Sequence, residues 1–87
     1  MANDEQLKFE IINQLGIISE GKSGWACEFN LVSWNGAEPK YDIRKWQKHT
    51  KVGKGITLTE SELRKLKELI DKEVEYLDTE GSVTYSV

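Results

Sequence analysis

The chain has 87 residues, a formal net charge of −3, one cysteine and one histidine. A domain of this length buries only about 60% of its unfolded surface, so its core needs support from a disulfide, a metal or a partner subunit. With Cys27 and His49 each the sole member of its class, an intrachain disulfide and a Cys/His metal site are excluded, and oligomerisation remains.

The opening MANDEQLKFE is acidic and polar, without the charged-then-apolar order of a signal peptide. No apolar run approaches the ~20 residues that span a bilayer. Together with the single cysteine, these features point to a cytoplasmic protein with no membrane partner. Residues 1–7 are expected to be a flexible N-terminus.

Residues 8–18, KFEIINQLGII, place Phe9, Ile11, Leu15 and Ile17 on one phase, the alternation of a half-buried strand. Glu20 to Gly24 is a glycine-rich turn. Residues 25–32 alternate more cleanly, with Trp25, Cys27, Phe29 and Leu31 on the apolar phase. Asn35-Gly36 and Pro39 mark a second turn, and a third strand is predicted from Lys40 to Trp46. Gln47 to Gly55 reads as a polar surface loop, and Ile56-Thr57-Leu58 as a short fourth strand. Short links between consecutive strands favour antiparallel pairing.

Thr59 and Glu62 form a capping box, and Glu60 and Glu62 suit the positive end of a helix dipole. Leu63, Leu66, Ile70, Val74 and Leu77 then follow at helical spacing, which predicts a helix over residues 60–76. Residues 78–87 carry no packing pattern, and their order is open. The fold class expected is α+β, a four-stranded antiparallel sheet followed by one long helix, with a single folded domain over residues 8–77.

One helix covers ~10 Å of a sheet ~19 Å wide. The helix stripe also repeats at nearly 3.5 residues, the spacing of a helix–helix seam. A symmetric homodimer through Leu66, Ile70, Val74 and Leu77 answers both features; the alternative is a stripe wholly consumed by intrachain packing.

Residues 40–54 hold Lys40, Arg44, Lys45, Lys48, Lys51 and Lys54 against one acid, Asp42, a net +5 in a chain otherwise −8. If Tyr41 and Ile43 face the core, then Arg44 and Trp46 point outward, and Trp34 joins them. Cations interleaved with flat rings suit unpaired nucleic acid, whose bases stack and whose phosphates need neutralising. The predicted helix is a poor duplex reader, since Arg64, Lys65, Lys67 and Lys72 are outnumbered by eight acids between Glu60 and Glu80. The candidate contacts are Lys22, Trp25, Trp34, Lys40, Arg44, Trp46, Lys48, Lys51 and Lys54. Trp25, on the apolar phase, also suits core packing, Lys22 is a candidate phosphate contact, and His49 reads as a polar loop residue. No cofactor is implied, and no nucleophile, paired-acid or phosphate-loop motif points to an enzyme.

The segment YDIRKWQKHTKVGKGITLTESELRKLKELI resembles the core of the transcriptional positive-cofactor-four family of single-stranded-DNA-binding coactivators, and its bacterial YdbC-like branch more closely. Asp42, Ile43, Arg44, Trp46, Lys54, Gly55, Ile56, Thr57 and Leu58 match the family pattern in order. The resemblance implies a homodimer of strongly curved four-stranded sheets that binds single-stranded DNA, or melted duplex, along concave faces. It implies that Arg44 and Lys54 meet the phosphate backbone, that Trp34 stacks on bases and that Trp46 fills the aromatic position; either Lys48 or Lys51 supplies a second loop lysine. The partners expected are single-stranded DNA, a second copy of the chain and the transcription machinery. Single-stranded RNA, which shares every feature above, and an acidic protein partner are the open alternatives.

Overall fold

A computed structural model describes residues 8–81. Four strands, β1 (Phe9–Glu20), β2 (Trp25–Trp34), β3 (Lys40–Gln47) and β4 (Lys51–Leu58), precede one helix, α1 (Glu60–Tyr76). The sheet has the order β1-β2-β3-β4, with every neighbouring pair antiparallel. The expected α+β architecture is therefore the one found. The flexible N-terminus expected over residues 1–7 lies outside the described residues, as does the tail from residue 82; residues 77–81 form a π-helical turn.

Local chemistry sets the connections. Asn35 and Gly36 both have positive φ, and the Ala37 N–H donates to the Trp34 carbonyl at 2.9 Å. Asn-Gly is the pair that tolerates two left-handed residues in a hairpin turn. At the β3–β4 turn, Lys48 and His49 also have positive φ, with the Thr50 N–H closing onto the Gln47 carbonyl at 3.0 Å. At the helix start, both halves of the capping box form: the Thr59 N–H donates to Glu62 Oε1 and the Glu62 N–H to Thr59 Oγ1.

The fourth strand corrects the sequence reading. Residues 51–55, expected to be loop, are the first half of β4. The glycines that suggested a loop serve a close approach of two backbones. A Cβ built on Gly55 would overlap the Cβ of Arg44, and one on Gly53 would lie 2.8 Å from the Lys45 carbonyl. A register shift between Arg44 and Trp46 marks the bulge that brings β4 so near.

The core is a second correction. The phase expected to be buried (Trp25, Cys27, Phe29, Leu31, Tyr41, Ile43) is only half-buried. The fully buried residues lie on the opposite phase, with Val32 and Trp46 at 0% exposure and Glu28, Asn30 and Asp42 beside them. Three register shifts along β1 bend and twist the sheet, so this inner face closes on itself and needs no helix to cover it. Helix α1 lies against the outer face, where Leu63, Leu66 and Ile70 meet Phe29, Ile43 and Ile18 around an apolar groove of about 390 Å³.

Coverage on that side is thin. No residue of α1 is fully buried, and Leu69, Ile70, Val74 and Tyr76 are 41–51% exposed. On β1, Ile12, Leu15, Ile17 and Ile18 are 42–58% exposed. The radius of gyration is 16.1 Å, against about 12 Å for a compact chain of this length.

Candidate nucleic-acid interface

Arg44 is the best-defined cation. Asp42 precedes it by two residues on the same strand, so both side chains lie on the inner face. The Arg44 Nε–H donates to both Asp42 oxygens, at 2.8 and 3.0 Å, and Nη1 donates to the Gly53 carbonyl at 3.1 Å. The Asp42 side chain is 0% exposed and that of Arg44 15%. The guanidinium carbon lies 4.7 Å from the Trp34 ring centroid, over the ring. Nη2 has no protein partner among the described residues. Arg44 also lines a cleft of about 420 Å³, together with Trp34, Ala37, Glu38, Lys40 and Thr57. The site thus presents a fixed guanidinium edge, a half-buried indole and an exposed ammonium at one opening.

The two indoles predicted to share a face with Arg44 do share it, but they are not both turned to solvent. Trp46 is fully buried. It stacks on Trp34 at 6.0 Å with 9° between planes, and Phe9 meets it edge-on at 4.9 Å. The pleat grouped these residues correctly; curvature then buried the group, because three large rings on a concave surface converge. Trp34 remains half-buried and lines the cleft. Phe9, read in the sequence as an ordinary core residue, is the third ring of the cluster.

The other predicted contacts divide into two places. Lys40 lies at the Arg44 cleft. Lys22, Trp25 and Lys54 line a different cleft, together with Lys45, Cys27 and Gly53. Lys48 and Lys51 flank the β3–β4 turn and are exposed. None of these lysines has a carboxylate within 4.0 Å among the described residues, whereas the helix cations Arg64, Lys65 and Lys67 are each paired on α1. Lys67 is exposed, and its pKa is raised by the hydrogen bond its ammonium donates to Asp71 and by the charge of that carboxylate. Positive charge without a partner is therefore concentrated on the sheet and its loops.

Two features went unrecognised in the sequence. His49 is more than a loop polar residue: its Nε2 lies 2.9 Å from both oxygens of the buried Glu28, and Glu28 also accepts from Asn30 Nδ2 at 3.0 Å. This pins the left-handed β3–β4 turn to the inner face. The Gln47 side chain adds a second tie, donating to the Ser23 carbonyl at 2.7 Å. Asp42 was placed by the sequence on the same strand face as Arg44, through their i, i+2 relation, but was given no role; the ion pair between them is what the reading missed.

The chain matches the family described as Transcriptional Coactivator p15 (PC4) over residues 22–69, from the β1–β2 turn to the middle of α1. The chain belongs to this family. It is a family of single-stranded-DNA-binding coactivators, and the residues that form the Arg44 cleft all fall inside the matched segment. A protein of Treponema pallidum (strain Nichols), described only as uncharacterized, is 39% identical over 72 residues, which is 82% of this chain and 84% of the relative. That similarity is compatible with a bacterial branch of the family. Among the described residues no helix is long and apolar enough to cross a membrane.

Proposed function

We propose that this protein is a homodimeric, sequence-tolerant binder of single-stranded DNA, including melted duplex, that acts in cytoplasmic transcription or DNA maintenance. The observation that carries this reading is the Arg44 cleft. It combines a guanidinium fixed by Asp42, an indole beside it and an unpaired lysine at the rim, within a fold of the coactivator family. Phosphate oxygens fit the free Nη2 edge of Arg44 and the Lys40 ammonium, because charge-assisted bonds to a pre-set guanidinium are strong. A base lies against the open part of Trp34. Lys48, Lys51 and Lys54 attract the strand electrostatically, without reading sequence. Trp46 supports Trp34 from behind, so its contribution is to hold the platform.

The homodimer is supported by the apolar surface left on α1 and β1. A second copy placed with Leu66, Ile70, Val74 and Leu77 at its centre removes exposed Ile70 and Val74 from water. Each fully covered aliphatic side chain of this size contributes about 1.5–3 kcal/mol.

Competition of oligo-dT against oligo-U and duplex DNA tests the function. Oligo-dT is expected to bind and quench tryptophan fluorescence, with duplex competing poorly. Preference for oligo-U would redirect the reading to RNA. Absence of binding by either single strand, with retained binding of an acidic protein, would replace it with a protein-interaction role.

A further inference from the structure

The outer face of the sheet carries a second concavity, away from the Arg44 cleft. Pleat alternation puts Trp25, Cys27 and Lys45 on the face opposite Arg44 and Trp46, because Cys27 pairs with Lys45 while Glu28 pairs with Arg44. Lys22 from the β1–β2 turn and Lys54 from β4 complete this cleft, which has a volume of about 530 Å³. That volume lies within the ~300–1,000 Å³ of small-ligand sites.

Lys22, Lys45 and Lys54 all line it, and none has a carboxylate within 4.0 Å among the described residues. Like charges brought together repel unless an anion neutralises them. The cleft also contains a large flat ring. Trp25 is half-buried, and one ring edge lies so close to Gly53 that a Cβ there would sit 2.9 Å from it. The indole is thereby held in place at the wall. A ligand that satisfies this surface is planar and apolar at one end and anionic at the other.

We infer that the Trp25 cleft is a second nucleotide pocket, on the opposite face of the sheet from Arg44, which takes a base against Trp25 and its phosphate among Lys22, Lys45 and Lys54. This rests on the single-strand reading above and adds a second subsite to it. A strand occupying both pockets crosses the sheet edge formed by β4 at Gly53–Lys54–Gly55.

Isotope-labelled full-length protein titrated with thymidine 5′-monophosphate, and separately with inorganic phosphate, tests the pocket by NMR. The monophosphate is expected to shift the Trp25 indole N–H together with the amides of Lys22, Lys45 and Lys54. Inorganic phosphate should shift them far less. In parallel, Trp25→Leu should weaken long oligo-dT by about fivefold or more, and the exposed-site variant Lys45→Gln should reduce the salt slope by about 0.7. Lys45→Gln leaves the Gly53 contact with Trp25 in place, so it reports even if Trp25→Leu misfolds. Equal shifts from phosphate alone, shifts confined to Trp34, or a Lys45→Gln protein indistinguishable from wild type would overturn the pocket. If oligo-dT fails to bind while the monophosphate still enters the Trp25 cleft, the single-strand reading falls and the pocket stands. If oligo-dT binds and moves only the Arg44 cleft, the reverse holds.

Discussion

Asp42 sets what Arg44 can do. A free arginine samples many rotamers, whereas this one is fixed through Nε and Nη1 with its guanidinium carbon 4.7 Å from the Trp34 ring centroid. Ordering the side chain before binding lowers the entropy lost when a phosphate arrives. Asp42→Ala leaves a largely buried guanidinium without its counter-charge, and such a loss costs about 3 kcal/mol of stability, measurable by urea denaturation. The milder Asp42→Asn should retain the fold and weaken oligo-dT, because the guanidinium is no longer held. An Asp42→Asn protein with wild-type affinity would show that orientation of Arg44 contributes nothing. The Asp42–Arg44 pair was legible in the sequence as two charged residues at i and i+2 of a predicted strand. The burial of Trp46 was not, since alternation tells which residues share a face but not whether curvature closes that face.

Among the elements, β4 departs most from its sequence signature. Lys51-Val52-Gly53-Lys54-Gly55 has the composition of a loop, yet it pairs with β3 through a bulge. Gly55→Ala should cost about 1–3 kcal/mol, because the new methyl group overlaps Arg44 Cβ and the Ile43 carbonyl, so the β3 and β4 backbones must move apart, and it should weaken DNA binding at the same time. Gly16 in β1 is the control. A Cβ there meets nothing within 4 Å, so Gly16→Ala should be neutral or stabilise by up to ~1 kcal/mol. Similar urea midpoints for the two variants would contradict the close approach of β4 to Arg44. The other elements were legible for a plain reason. The Asn-Gly turn and the Thr59–Glu62 capping box are local, whereas the Gly53 and Gly55 contacts depend on residues eight or more positions away.

At the scale of the whole molecule, two faces of one sheet have different fates. The inner face is filled by Phe9, Trp34 and Trp46, by the Asp42–Arg44 ion pair and by the Glu28–His49 contact. The outer face has one helix and a surplus of exposed aliphatic surface. A monomer with that surface in water is unfavourable, so light scattering after size-exclusion at micromolar concentration should give a mass near twice the chain's 10.0 kDa. Ile70→Asp with Val74→Asp should return a monomer or an unstable chain. A clean monomer for the wild type would leave the apolar surface of α1 without an explanation. Sequence spacing already exposed this surplus, because a single helix is narrower than four strands; which rings would pack inside the sheet required the bend of β1 to be known.

The decisive measurement is the affinity of wild type and Arg44→Ala for oligo-dT, oligo-dC and oligo-dA at two salt concentrations. Wild type should bind all three, more weakly at higher salt, with a logarithmic slope of about −0.7 for each phosphate neutralised. Arg44→Ala should lose about tenfold or more on every sequence alike, as expected for a charge-assisted contact worth ~1.5–3 kcal/mol. A loss confined to one sequence, or a wild-type affinity indifferent to salt, would mean that Arg44 and its lysines do not grip the backbone of a single strand.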